Sequence, residues 1–266
     1  GSVTGQFYAL QSFLQLLPSK KSKKVKLAAL QIDDAPRFVW RGMHLDVGRH
    51  MSSVAFIKKL LDQMAQLKLN TFHWHLTEDQ GWRIEIKRYP KLTQIGGYRK
   101  ETMKDRHFKP YIGDSLAYGG FYTQEQIKDV IAYAQQRHIM VVPEIELPGH
   151  SQAALAAYPE LACTPGPFEV ATTWGVVEDI YCPSEATFEF LENVLTEVIE
   201  LFPAPYVHIG GDEAPKTRWK KSAVAQEVMR REGLKNEEEL QRYFIRRVEK
   251  MINSKGTRLI GWDESL

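Results

Sequence analysis

Five short apolar runs, each separated from the next by a segment of helical periodicity, constrain the fold of this chain more than any other feature. The runs read as strands at 38–47, 71–76, 139–145, 206–209 and 258–262. Between them apolar residues recur every three or four positions, as a helix with one buried face requires. One such face is Val54, Ile57, Leu61, Met64 and Leu67 after a Ser52 or Ser53 cap, and another is Ile127, Val130 and Ala134 after a Thr123–Gln126 capping box. Phe188, Leu191, Leu195 and Val198 form a third, and Leu240, Phe244, Val248 and Met251, opened by Asn236 with Glu239, a fourth. Strands joined by helices pair in parallel through right-handed crossovers. Two α/β folds satisfy that rule, a doubly wound sheet or a TIM-type barrel of eight βα units. Ahead of the first strand, Phe7, Leu10, Phe13, Leu14 and Leu17 mark an amphipathic helix ending at Pro18, expected to be the last piece of a preceding domain.

Composition removes several classes of function. The 266 residues are 43% hydrophobic, enough for a sizeable core, and 11% aromatic with 13 prolines, which argues against disorder. Lys and Arg number 35 against 33 Asp and Glu, and with no long basic stripe nucleic acid is a poor partner. The cationic run at 20–26 reads as a solvated linker. The longest apolar stretches fall well short of the ~20 residues of a membrane span. Residues 1–5 lack the charged start and apolar stretch of a signal peptide. Cys163 and Cys182 lie in one stretch rich in Pro, Gly and Thr, and two readings stay open: separate thiols, or a bridge tying down a loop in an oxidising compartment.

The chemistry gathers where the strands end. The first runs into Asp46 and Arg49, the second carries His73 and His75 and ends in Glu78-Asp79, and the third ends in Glu144 and Glu146 before Pro148-Gly149-His150. The fourth ends in Asp212-Glu213 after Gly210-Gly211, and the fifth in Asp263-Glu264. In parallel α/β folds these ends converge on the face that holds active sites, so five of them describe an acid-rich pocket. Long connections at 81–120 and 148–183 exceed ordinary loops of about 12–15 residues, and such loops are usually functional. One use of the pocket is metal-dependent hydrolysis at His73-x-His75, although such a strand pair is more often satisfied by hydrogen bonds in the core. The other is carbohydrate chemistry, in which one carboxylic acid protonates the glycosidic oxygen and a second group holds the developing charge. Trp74, Trp82, Trp174, Trp219 and Trp262 add flat indoles of the kind that stack on sugars. Adjacent Asp212 and Glu213 reach one pocket only where the ladder stops and Gly210-Gly211 lets the backbone turn. Their mutual repulsion raises the proton affinity of at least one, as a general acid needs.

His208-Ile209-Gly210-Gly211-Asp212-Glu213-Ala214-Pro215-Lys216 resembles the catalytic motif of the β-N-acetylhexosaminidases of glycoside hydrolase family 20. The likeness extends through Arg41-Gly42 to Arg49-His50, His73-Trp74-His75-Leu76 with Asp79-Gln80-Gly81-Trp82, Pro143-Glu144 with Pro148-Gly149-His150, and Gly261-Trp262-Asp263-Glu264. The resemblance implies a barrel of which this chain supplies about the first five βα units, with residues 1–30 the helix and linker of a preceding α/β domain and 31–266 the N-terminal part of the barrel. It implies removal of terminal β-linked N-acetylglucosamine or N-acetylgalactosamine with retention, the substrate's own acetamido oxygen acting as nucleophile. Glu213 is then the general acid and base, Asp212 orients the acetamido group, Trp262 walls its pocket, Arg49 grips sugar hydroxyls, and His150 with Glu78 supports the acid. At position 78 the family commonly has Asp, one methylene shorter than the Glu here. No metal or organic cofactor is implied, and the expected partners are oligosaccharides or glycoconjugates ending in N-acetylhexosamine, met after export. The chain is expected to be an excerpt with little turnover alone, and a non-catalytic sugar-binding fragment is the remaining alternative.

Overall fold

The computed structural model describes residues 1–18, 20 and 23–265, so Lys21 and Ser22 of the cationic run lie outside the described residues. In chain order its main elements are α1 (Val3–Gln15), β1 (Gly42–Asp46), α2 (Val54–Gln66), β2 (Thr71–His75), α3 (Gln124–Gln135), β3 (Met140–Glu144), α4 (Glu185–Leu201), β4 (Tyr206–His208), α5 (Glu237–Ser254) and β5 (Arg258–Ile260). Helix starts fall where side chains can satisfy the first free backbone N–H groups. Ser53 accepts from Phe56 N–H, Ser184 from Thr187 N–H and Asn236 from Glu239 N–H, and Thr123 with Gln126 forms both halves of a capping box.

The five strands pair in parallel in the order β1-β2-β3-β4-β5. An order that never reverses has no switch point, which sets it apart from a doubly wound sheet. Alternation along each strand divides the side chains between two faces. Phe72, Trp74, Val141 and Val207 are buried toward the helices, where they meet Ile57, Leu61, Val130, Leu191, Leu195, Phe244 and Val248 in one core. Each such side chain contributes about 1.5–3 kcal/mol by leaving water. The opposite face carries His44, Asp46, His73, His75, Glu144 and His208.

Two strand boundaries differ from the sequence reading by more than one residue. β1 starts at Gly42 rather than residue 38, because its register pairs Gly42 with Thr71, the first residue of β2, with the Arg41 carbonyl accepting from Asn70 and Thr71 N–H just before it. Val39 is consequently 90% exposed, and the Asn70 side chain takes over, accepting from Arg41 N–H and donating to the Val39 carbonyl. β5 ends at Ile260 rather than residue 262, where the neighbouring chain turns at Gly210. The long 81–120 connection contains its own pairs, Tyr98–Arg99 with Tyr118–Gly119 and a hairpin of Met103–Phe108 with Tyr111–Gly113. Helix α1 lies on α2, with Gln15 Nε2 donating to the Gln66 carbonyl at 2.7 Å and Phe7 against His138. Cys163 and Cys182 are joined as a disulfide, which resolves the open choice at those positions.

Candidate active site

Strand register sets the floor of the site. Asp46 lies beside His75, His75 beside Glu144 and Glu144 beside His208, one row across four strands. His44 and His73 sit one period nearer the strand starts on the same face. The fully buried Glu144 carboxylate lies 2.7 Å from His73 Nε2, 3.0 Å from His208 Nδ1, 3.3 Å from His75 Nδ1 and 3.6 Å from His44 Nε2. Burial opposes its ionisation, but the surrounding imidazoles outweigh burial and hold it far below the ordinary carboxylate range. His73 and His75 therefore face a common carboxylate. The donor trios near enough to share one ion divide the pair, His44–His73–Glu144 in one and His75–Glu78–Glu146 in another. That division removes the geometric basis for a metal held by His73 and His75 together.

Above the floor, four of the expected residues form a chain of contacts. Arg49 donates from Nη1 to Asp46 Oδ2 at 2.7 Å and places Nη2 3.3 Å from Glu78 Oε2. Glu78 Oε1 lies 2.8 Å from His150 Nδ1, and His150 Nε2 lies 3.4 Å from Glu213 Oε2 and 3.9 Å from Asp212 Oδ2. The extra methylene of Glu78 does not break its contact with His150, and Asp79 Oδ2 approaches the same Nδ1 at 3.3 Å. Burial works against charge on both partners, but mutual hydrogen bonding prevails. Glu78 is held ionised by His150, His75 and Arg49, and His150 is held cationic by Asp79 and Glu78. Burial chiefly, then the charges of Glu144 and Glu78, push the Glu146 carboxyl well above the ordinary carboxylate range. Asp212 is also raised, by burial first and by Glu144 and Glu213, with His150 opposing.

The turn that presents Asp212 and Glu213 is left-handed at three positions, with φ of 64° at Gly210, 92° at Gly211 and 44° at Glu213. Glycine fits the first because a Cβ there would run into the Glu146 carboxylate. A left-handed Glu213 costs about 1–2 kcal/mol, the kind of strain that functional sites hold. Its N–H is tied to Glu264 Oε2 at 3.1 Å, while the side chain stays half-exposed on the open face. Trp262 lies over the floor, 4.8 Å from the His208 ring and 5.7 Å from that of His73. A cavity of about 510 Å³, lined by Tyr8, Phe13, Leu30, Ile32 and Arg41 among others, opens instead beside the starts of β1 and β2, away from the carboxylates.

The sequence reading missed two arginines in the 81–120 segment. Arg83 is fully buried and, among the described residues, donates only to carbonyls, those of Val47, Gly48, Gln80, Gly97 and Gly120. Arg99 is also buried and donates to the carbonyls of Arg49 and Gln80. Arginine is ordinarily exposed, so no local pattern marks these two as internal. The arrangement can move a proton at Glu213 beside a positive charge on His150, with Asp212 near the same ring and Arg49 at the far end of the run as further hydrogen-bonding groups.

Residues 38–266 match the model of the glycosyl hydrolase family 20 catalytic domain. The chain is 52% identical to a beta-hexosaminidase of Porphyromonas gingivalis, covering all of this chain and 34% of that protein. It is 42% identical to a beta-hexosaminidase of Vibrio furnissii, covering 98% of this chain and 43% of that one. Among solved structures it resembles an exo beta-N-acetylglucosaminidase of Vibrio harveyi in complex with N-acetylglucosamine. That match has a TM-score of 0.86 and 42% identity, and covers all of this chain and 42% of the other. A beta-N-acetylhexosaminidase of Bacteroides fragilis matches with a TM-score of 0.85 and 40% identity, over 98% of this chain and 49% of that one. The chain thus spans less than half the length of each of these relatives.

Proposed function

The chain belongs to glycosyl hydrolase family 20, and from that premise we propose that its acid-rich face removes terminal, non-reducing β-linked N-acetylglucosamine or N-acetylgalactosamine with retention. The observation that carries this reading is the unbroken run of contacts from Arg49 through Glu78 and His150 to Glu213, with Asp212 beside it. Glu213 gives its proton to the departing glycosidic oxygen and later takes one from water. Cationic His150 stabilises the carboxylate left behind, and Glu78 keeps the ring charged and oriented. Asp212 holds the acetamido N–H and aims its oxygen at the anomeric carbon, so the substrate supplies the nucleophile and an oxazolinium intermediate forms. Arg49 binds sugar hydroxyls, and Trp262 forms a wall around the acetamido methyl. No metal takes part in this scheme.

The five-stranded sheet is read as the first arc of a (β/α)8 barrel formed by residues 31–266, with 1–30 the end of a preceding domain. The natural substrates are oligosaccharides or glycoconjugates ending in N-acetylhexosamine. Export is supported by the Cys163–Cys182 bridge, which persists in oxidising compartments. The test is release of p-nitrophenol from its N-acetyl-β-glucosaminide by the protein that carries this chain, beside Glu213→Gln, with and without chelator. Turnover that resists chelator and drops at least about 10²-fold in the variant supports the assignment. Chelator-sensitive turnover, or equal rates in both proteins, refutes it. Sugar binding without turnover in the intact protein indicates a non-catalytic module.

A further inference from the structure

We propose that Arg99, on the 81–120 segment, is a positioning residue for Arg49 and through it sets the affinity for the terminal sugar. The inference rests on the assignment of Arg49 to the sugar hydroxyls. Arg99 Nη1 donates to the Arg49 carbonyl at 2.8 Å and to the Gln80 carbonyl at 3.1 Å, and its Nε donates to Thr102 Oγ1 at 3.0 Å. Its guanidinium lies over the Tyr118 ring at 4.4 Å and 5.7 Å from that of Trp174. Among the described residues no carboxylate pairs with it within 4 Å. A planar group pinned on its face and at three acceptors has little freedom, so the Arg49 carbonyl is fixed in place. Tyr118 extends the grip, because its hydroxyl accepts from Met51 N–H at 2.8 Å. The stretch after β1 is thus held at Arg49 and Met51 by Arg99 and Tyr118, beside Arg83 on Val47 and Gly48, while the tip of Arg49 is held separately by Asp46 and Glu78. Losing the backbone hold displaces the tip, and a shift of about 1 Å in a substrate-positioning group costs on the order of 10²-fold in rate.

Two readouts test this, one of them independent of turnover. In Arg99→Met the Met51 amide should exchange with solvent at least about 10-fold faster while the amides of β2 and β3 stay as protected as before. Arg99→Met should also lower kcat/KM for the N-acetyl-β-glucosaminide by about 10–100-fold, mostly through KM, and Arg99→Lys should recover part of the loss. In an Arg49→Met background, adding Arg99→Met should change kcat/KM by less than about 3-fold, since the residue it positions is gone. Unchanged Met51 exchange, or losses that multiply fully in the double variant, overturn the proposal. If the wild-type protein hydrolyses no such substrate, the functional assignment fails, and the exchange measurement still decides whether Arg99 fixes the Arg49 segment.

Discussion

Replacing His150 by Asn separates the charge of this ring from its hydrogen bond. Asn tolerates the left-handed backbone at this position, where φ is 49°, and its amide nitrogen falls near the place of Nδ1, so the contact with Glu78 can persist. What is lost is the titration. The hydrogen bonds to Asp79 and Glu78 outweigh burial and raise the folded-state pKa of His150 to about 12, against 6.5 for an ordinary imidazole. A raised pKa contributes stability that is fully present below the unfolded value and declines as pH rises toward the folded one. Glu78 works in the opposite direction: its pKa is lowered, so its contribution is present above about 4.5 and is lost as pH falls. The pair is therefore most stabilising between these limits, in mildly acidic solution. Above neutrality the unfolded chain loses a proton that the folded one keeps, and stability falls by about 1.4 kcal/mol per pH unit. From about pH 7 to about pH 8.5 the wild type should lose about 2 kcal/mol through this residue, and His150→Asn should not. Urea unfolding at the two pH values measures the difference, and imidazole ¹⁵N shifts report whether the ring stays charged. Equal pH slopes in the two proteins, or a ring that titrates below about pH 8, would refute the reasoning. The variant should also turn over about 10–100-fold more slowly, because Glu213 loses the charge beside it.

Arg83→Met removes a donor from five carbonyls, of which Gln80 keeps Arg99 and Gly97 keeps the Gly120 N–H, while relieving the burial of a charge, for a net loss of about 3–5 kcal/mol. A thermal melt should shift down by roughly 6–20 °C, and a shift under about 2 °C would show that the guanidinium is not the hub of this segment. Gly210→Ala places a methyl group against the Glu146 carboxylate in a left-handed backbone, which costs about 2–4 kcal/mol. The same melt measures it, and an unchanged midpoint contradicts the packing described here. Asp212→Asn should lower hydrolysis of N-acetylated substrates by roughly 10²-fold or more, since the acetamido group is no longer oriented. Near-normal rates would eliminate substrate assistance.

Much of the fold was legible because its causes are local. Helix faces repeat within four residues, caps act across three, and the Thr123–Gln126 box and the Ser53 and Asn236 caps form as their spacing requires. The carboxylates at the strand ends were equally visible, since parallel strands joined by helices must bring those ends to one side. So was the need for Gly210-Gly211 before Asp212-Glu213, because adjacent strand residues share a pocket only past a turn. Less visible was the start of β1 at Gly42, which depends on where β2 begins and not on the apolarity of residues 38–41.

What only the tertiary structure decided involves partners far apart in the chain. Register alone sets Glu144 among imidazoles from three other strands, which holds it ionised and brings His73 and His75 to one carboxylate. The opposite shift of Glu146, two residues later, follows first from its burial and then from its neighbours Glu144 and Glu78, not from its place in sequence. Arg83 and Arg99 are written as ordinary surface residues, and become internal because the 81–120 segment folds back onto the carbonyls after β1. Periodicity records which face of an element meets the core. It does not record which of many buried polar groups will meet which, because that is settled by strand register and by the path of an irregular loop, neither of which repeats along the chain.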